Sequence, residues 1–384
     1  MSGAEAIDTA PTSVARGIES RGTAPAAAAG CACRIDSPRL PPTPTDTPGS
    51  TGAMSAWVRD VGGKTGLYFD LASVTKPMTA VAAVRAGIEP STPLGALLDE
   101  ARGTASEGIS LELLLAHRAG LAGHRALYAP LVRGERVDVS AALREAADAR
   151  RDDALGDPRL VGAAGFEPVY SDLGYALAGE AIARATGARD AGEAIGRLVL
   201  EPLGIADRAG TVRDLAARGI VGPFAPTEDV PWRGGLVSGA VHDENAWALT
   251  GLGGSGHAGI FGTIDAVLTF GAAVLDGLAG RGVFGDRGPD SLAWLVRPRP
   301  GGTLRAGFDG KSEEGSSAGV RLGPNAFGHL GFTGTSLWLD PDAAIVVALL
   351  TNRVCPSREH RAIREERPAA HDSLFDRAVL LRKT

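Results

Sequence analysis

The chain has 384 residues, 44% of them hydrophobic and 22% charged, so it can bury a sizeable core and is not a disordered polymer. Its formal net charge of −6 gives no long-range attraction for nucleic acid or an anionic membrane surface. Its three cysteines, Cys31, Cys33 and Cys355, make no disulfide framework, and no run approaches the ~20 apolar residues of a membrane helix.

Residues 1–13 are small and polar and read as a loose tail. Ala26–Arg34 reads as a buried strand carrying Cys31 and Cys33. The run ending at Cys31 is not preceded by an apolar stretch, since Glu19 and Arg21 stand there, so we expect a cytoplasmic protein without an export signal. Ser37–Gly52, dense in Pro, Thr and Ser, reads as a long irregular connection. Ser55–Arg59 and Thr65–Phe69 flank Gly62-Gly63-Lys64 and predict a hairpin.

Helical spacing then takes over, in Ala80–Ala86, Leu111–Ala116, Ala141–Ala149, Leu173–Ala185, Ala191–Leu200 and Ile264–Leu278. Strands return at Leu304–Phe308, Ala318–Leu322, Thr335–Leu339 and Ala344–Leu350, and a last helix covers Ser373–Leu381. The expected fold class is α+β: an antiparallel sheet flanked by helices, with a helical insert. We assign 14–76 and 257–384 to the sheet domain and 77–256 to a mainly helical domain.

Three motifs carry chemistry. Ser73-Val74-Thr75-Lys76 puts a hydroxyl and an amine on one helix face, and Pro77 places both in the first turn. A desolvated lysine has a lowered pKa and can take the serine proton. Lysine is scarce here (Lys64, Lys76, Lys311 and Lys383), which adds weight to its spacing from Ser73. Tyr170-Ser171-Asp172 opens a helix; Tyr170 beside a cation can shuttle protons with a lowered pKa, while Asp172 is a natural N-cap. The glycine-rich Gly328–Thr335, containing His329, Gly331 and Phe332, can bring a free strand N–H to a ligand as half of an oxyanion hole.

In that order the three motifs resemble those of class C β-lactamases, D-alanyl-D-alanine carboxypeptidases and β-lactamase-like carboxylesterases. Leu113–Leu121, Glu201-Pro202-Leu203-Gly204 and Gly256–Thr263 look like further landmarks of that family, over roughly residues 14–383. The resemblance implies the β-lactamase/transpeptidase-like fold and a serine hydrolase working through an acyl-enzyme. It makes Ser73 the nucleophile, Lys76 its activating partner and Tyr170 the general base, with the N–H groups of Ser73 and Phe332 as oxyanion hole. It implies no cofactor and no metal. The partner expected is a small ester or amide, with no nucleic acid or membrane; the oligomeric state stays open.

Two positions depart from the family pattern. Asp172 stands where the family has asparagine, so a donor becomes an acceptor. His329 stands where it has lysine, which removes a fixed cation. Both changes favour esterase-like activity on less charged substrates over β-lactam turnover. Two alternatives remain at this point: an inactive protein of this fold with a binding role, and a transesterase.

Other features carry less. Lys64-Thr65-Gly66 resembles the β-lactamase form of the third motif literally but precedes Ser73, and is no P-loop either. His242-Asp243-Glu244-Asn245 and His257 read as loop hydrogen bonding, not as metal ligands, and His117 and His124 as structural. Glu365 and Glu366, between arginines, read as a solvated face.

Overall fold

A computed structural model describes residues 9–35, 57–154 and 164–383. Its strands in chain order are β1 (Ala27–Arg34), β2 (Trp57–Gly63), β3 (Phe69–Asp70), β4 (Ala209–Gly210), β5 (Asp229–Val230) and β6 (Gly235–Leu236). They continue with β7 (Phe261–Gly262), β8 (Asp309–Gly310), β9 (Phe327–Leu330), β10 (Ser336–Asp340) and β11 (Ile345–Thr351). An antiparallel sheet of order β2-β1-β11-β10-β9-β8 is built from the two ends of the described chain. Most of the helices lie between β3 and β8 in sequence.

The central strands are apolar on both faces because both faces are covered. In β11, Val346, Ala348 and Leu350 join the core shared with helix Ile264–Leu278. Ile345, Val347 and Leu349 join a second core with helices Pro11–Ser20 and Ile363–Leu381. β1 is split in the same way, with Cys31 and Cys33 buried in the second core and Ala28 and Ala32 in the first. Gly30 lets helix Ile264–Leu278 lie close on the sheet, since a Cβ there would stand 2.8 Å from Leu268 Cδ1.

Several expectations are corrected. Residues 1–8 lie outside the described ones, but Pro11–Ser13 are not a tail: proline at the first position starts a helix whose Ala15 and Ile18 are buried. The Ser37–Gly52 connection also lies outside the described residues. Ser55 and Ala56 lie outside the described residues, and among the described ones no hairpin joins the two predicted strands: β2 pairs with β1, whereas β3 crosses to pair with β7. Leu304–Phe308 forms only an isolated Leu304–Asp309 bridge, and Ala318–Leu322 is no strand. Ala306, Phe308, Ala318 and Leu322 are buried, so their apolar pattern reports core loops instead of a ladder. The last helix begins ten residues early, at Ile363 instead of Ser373. Gly196–Leu200 is a wide π turn that prolongs the helix of Ala191–Ile195.

Candidate active site

Ser73 lies in a short 3-10 turn, Ala72–Val74, that runs directly into helix Thr75–Arg85. Ala72 just before it is held at φ 47°, a left-handed conformation that costs an L-residue about 1–3 kcal/mol. The surroundings enforce it. The buried Asp70 carboxylate accepts the Ala72 N–H at 2.8 Å and the His242 N–H at 2.6 Å. From the third motif, Thr333 Oγ1 donates to the Asp70 carbonyl at 2.7 Å and Thr335 Oγ1 to the Leu71 carbonyl at 2.9 Å. The turn that carries Ser73 is therefore clamped to the loop that follows β9.

Lys76 is fully buried, and its Nζ donates to Ser73 Oγ at 2.8 Å and to Asp172 Oδ1 at 2.6 Å. The Tyr170 and Tyr175 ring centroids lie 4.7 and 5.5 Å from the same Nζ. Burial alone would lower the lysine pKa, but the negative charge of Asp172, with Tyr170 beside it, raises it above the ordinary value. The lowered pKa expected from desolvation is thus overturned by the carboxylate. Lys76 is an ammonium at neutral pH.

Asp172 is free to do this because it is not the helix cap. Ser171 caps helix Asp172–Thr186, its Oγ accepting the Gly174 N–H at 3.3 Å. Tyr170, just before the cap, stacks on His117 with centroids 4.6 Å apart. His117 Nδ1 accepts the Ser171 N–H at 3.0 Å, so that ring is neutral, and burial holds its pKa well below the usual value. Burial raises the Tyr170 pKa, only partly offset by Lys76, which reverses the lowering expected beside a cation.

His329 on β9 donates from Nδ1 to the Leu330 carbonyl at 2.8 Å, and its ring centroid stands 6.0 Å from that of Tyr170. Burial and the Lys76 charge push its pKa down to about 3, so it adds no cation to the site. Behind Lys76, the His257 carbonyl lies 3.5 Å from Nζ, and His257 Nε2 donates to Asp243 Oδ1 at 2.8 Å. Asp243 and His257, expected only to make loop hydrogen bonds, thereby also buttress the lysine.

A cavity of about 400 Å³ opens over this cluster, with Ser73, Tyr170, Asp172, Gly331 and Phe332 on one wall. Lys76 and His329 stand behind that wall. Among the described residues no acceptor holds the Phe332 N–H, which is free for a ligand oxygen. Gly331 is required there because a Cβ would press on the Leu71 carbonyl at 2.6 Å. His124 also lines the cavity. The lining also includes Ile363 and four arginines (Arg353, Arg358, Arg364 and Arg367), which composition and spacing did not reveal; the Arg353 guanidinium lies 4.7 Å from the Phe332 ring centroid. Lys64-Thr65-Gly66 lies elsewhere, beside Thr12 and Arg16. No cluster of three or more His, Cys, Asp or Glu suited to a metal occurs among the described residues. No helix among them is long and apolar enough to cross a membrane.

Residues 58–371 match the family described as Beta-lactamase. A putative D-alanyl-D-alanine carboxypeptidase of Salmonella agona is 30% identical over 207 residues, 49% of this chain and 46% of that protein. The chain therefore spans about half the length of the curated relatives it matches. Among solved structures, EstCE1, a hydrolase with promiscuous acyltransferase activity, superimposes with TM-score 0.62 at 18% identity, covering 94% of this chain and 97% of that one. A family VIII carboxylesterase does so with TM-score 0.60 at 15% identity, covering 94% and 96%. A beta-lactamase of Mycobacterium bovis gives TM-score 0.55 at 20% identity, covering 95% and 99%. At these identities the likeness is one of fold.

Proposed function

The chain belongs to the beta-lactamase family, and from that premise we propose that it is a serine hydrolase that cleaves esters or amides through an acyl-enzyme on Ser73, with esters favoured. The observation that carries this reading is the single ammonium of Lys76 bridging Ser73 Oγ at 2.8 Å and Asp172 Oδ1 at 2.6 Å beneath the Tyr170 ring.

Because Lys76 is a cation, the base is Tyr170 in its phenolate form, stabilised by that ammonium. Ser73 Oγ attacks the ester carbonyl carbon as its proton passes to the phenolate. The oxyanion is held by the N–H groups of Ser73 and Phe332. Collapse expels the alkoxide, which takes the proton from Tyr170. Water then attacks the acyl-enzyme by the same steps, releasing the acid and restoring Ser73.

The carboxylate at 172 cannot donate to a substrate carbonyl, and the neutral His329 cannot grip a carboxylate next to the scissile bond. Both features favour simple esters over β-lactams or peptides with a free C-terminus at that position. Hydrolysis of short p-nitrophenyl esters, measured beside a chromogenic cephalosporin, tests this preference. Ester turnover with little cephalosporin turnover is the expected result; fast cephalosporin hydrolysis with a low KM would sink the esterase reading. Turnover of neither would favour a binding role.

A further inference from the structure

One wall of the cavity carries three guanidiniums, Arg353, Arg364 and Arg367, that have no carboxylate partner among the described residues. Arg367 keeps only 5% of its surface exposed, and its buried Nε has no hydrogen-bond partner. Arg353 spends its donors on carbonyls, giving Nε to Phe332 at 2.9 Å and Nη1 to Arg358 and His360 at 2.7 and 2.6 Å. Neither these two nor the exposed Arg364 forms a salt bridge among the described residues.

The carboxylates nearby are already committed. Glu228 and Glu244 both pair with Arg358, the former at 2.6 Å. On the same helical turn, Glu366 binds Arg21 at 2.6 Å, and Glu365 lines a groove on the other side, against helix Pro11–Ser20. Arg364 and Arg367, three apart in the first turns of helix Ile363–Leu381, share one face of its N-terminus, where the helix dipole adds positive potential. Of these, Arg367 is the buried cation left unpaired, which is strongly unfavourable, so it has most to gain from an anion in the cavity.

We propose that this wall is a subsite for a doubly charged phosphate-class group, a phosphate monoester or phosphonate, carried by the substrate away from its scissile bond. Arg364 and Arg367 hold its oxygens and Arg353 contributes field. A single carboxylate would leave most of the positive charge uncompensated, whereas a phosphate monoester carries close to two negative charges and three acceptor oxygens suited to guanidinium forks. The cation missing at His329 is thereby replaced by arginines elsewhere in the cavity lining, which select a different part of the substrate. This inference deepens the serine-hydrolase reading and rests on it for turnover, but not for binding.

The test compares p-nitrophenyl esters of matched length ending in a methyl, a carboxylate or a phosphonate. With the wild type, the phosphonate ester is expected to exceed the methyl ester in kcat/KM by at least tenfold, and the carboxylate ester by a clear margin. The phosphonate-to-methyl ratio falls about tenfold in Arg364→Ala, whose exposed side chain is not needed for folding, and in Arg367→Gln. A ratio unchanged in both variants, or a preference for carboxylate, overturns the proposal while leaving Ser73 chemistry standing. If no ester turns over, calorimetric titration with inorganic phosphate decides: binding weakened tenfold in Arg364→Ala keeps the subsite and removes the hydrolase reading, and no binding removes both.

Discussion

The Asp172 carboxylate lies 2.6 Å from the ammonium of Lys76, and this ion pair sets the protonation of the whole site. A buried lysine next to a neutral amide would shed its proton readily; next to a carboxylate it keeps it. On the serine-hydrolase reading proposed above, the base is then another group, and Tyr170 is the phenol over that ammonium.

Asp172→Asn therefore changes the pH profile in a stated direction. Burial then acts on Lys76 without its counter-charge, so the lysine pKa drops. Since the cationic form supports the phenolate, the alkaline limb of kcat/KM for an ester moves to lower pH. An alkaline limb that stays in place contradicts the role given to the pair.

Tyr170 ionises above its ordinary range because burial opposes the phenolate. The wild-type kcat/KM should still be climbing at about pH 9, as the fraction of phenolate grows. Tyr170→Phe should lower kcat by about 10²- to 10⁴-fold with KM little changed. A plateau from neutral pH upward, or a variant of near-normal kcat, is the outcome that speaks against Tyr170.

Gly331→Ala probes the clamp between the third motif and the turn that carries Ser73. The new Cβ would stand 2.6 Å from the Leu71 carbonyl, which also accepts from Thr335 Oγ1. The loop must shift, carrying the Phe332 N–H with it. Loss of one oxyanion donor predicts a fall in kcat of about 10²- to 10³-fold. Ester kinetics on the folded variant, checked by its thermal melt, measure this.

Acid stability depends on histidines buried neutral. His371 accepts from Ser336 Oγ and donates to the Ser317 carbonyl, both at 2.8 Å; burial and Arg367 push its pKa to about 3, as burial and Lys76 do for His329. Between pH 3 and 6.5 the unfolded chain binds more protons than the folded one, so stability falls as pH drops below 6.5 and levels off above 7. At pH 5 each histidine costs about 2 kcal/mol. In urea titrations, His371→Gln should shrink the loss between pH 7 and pH 5 by about that amount. An unchanged loss would show that His371 is not the titrating group.

Much of this was legible along the chain. Ile264–Leu278 is a helix with the bounds its periodicity predicts, and the apolar run at Ala344–Leu350 becomes β11. Ser73, Lys76 and Tyr170 could be picked out because their side chains are chemically special at fixed local spacing. What local pattern could not carry was partnership across the fold. Thr65–Phe69 has strand character, but the pairing of β3 with β7 depends on residues nearly two hundred positions away. The direction of the Lys76 pKa turns on Asp172, 96 residues distant. Arg364 and Arg367 alternate with Glu365 and Glu366 and look like a solvated face, until the glutamates turn towards helix Pro11–Ser20 and the arginines towards the cavity.

The central claim is that Ser73 becomes acylated, and covalent labelling with a fluorophosphonate followed by peptide mass spectrometry tests it most directly. One label per chain is expected, on the peptide bearing Ser73, lost in Ser73→Ala and slowed in Tyr170→Phe. A label on another residue, or ester turnover that persists in Ser73→Ala, would contradict it.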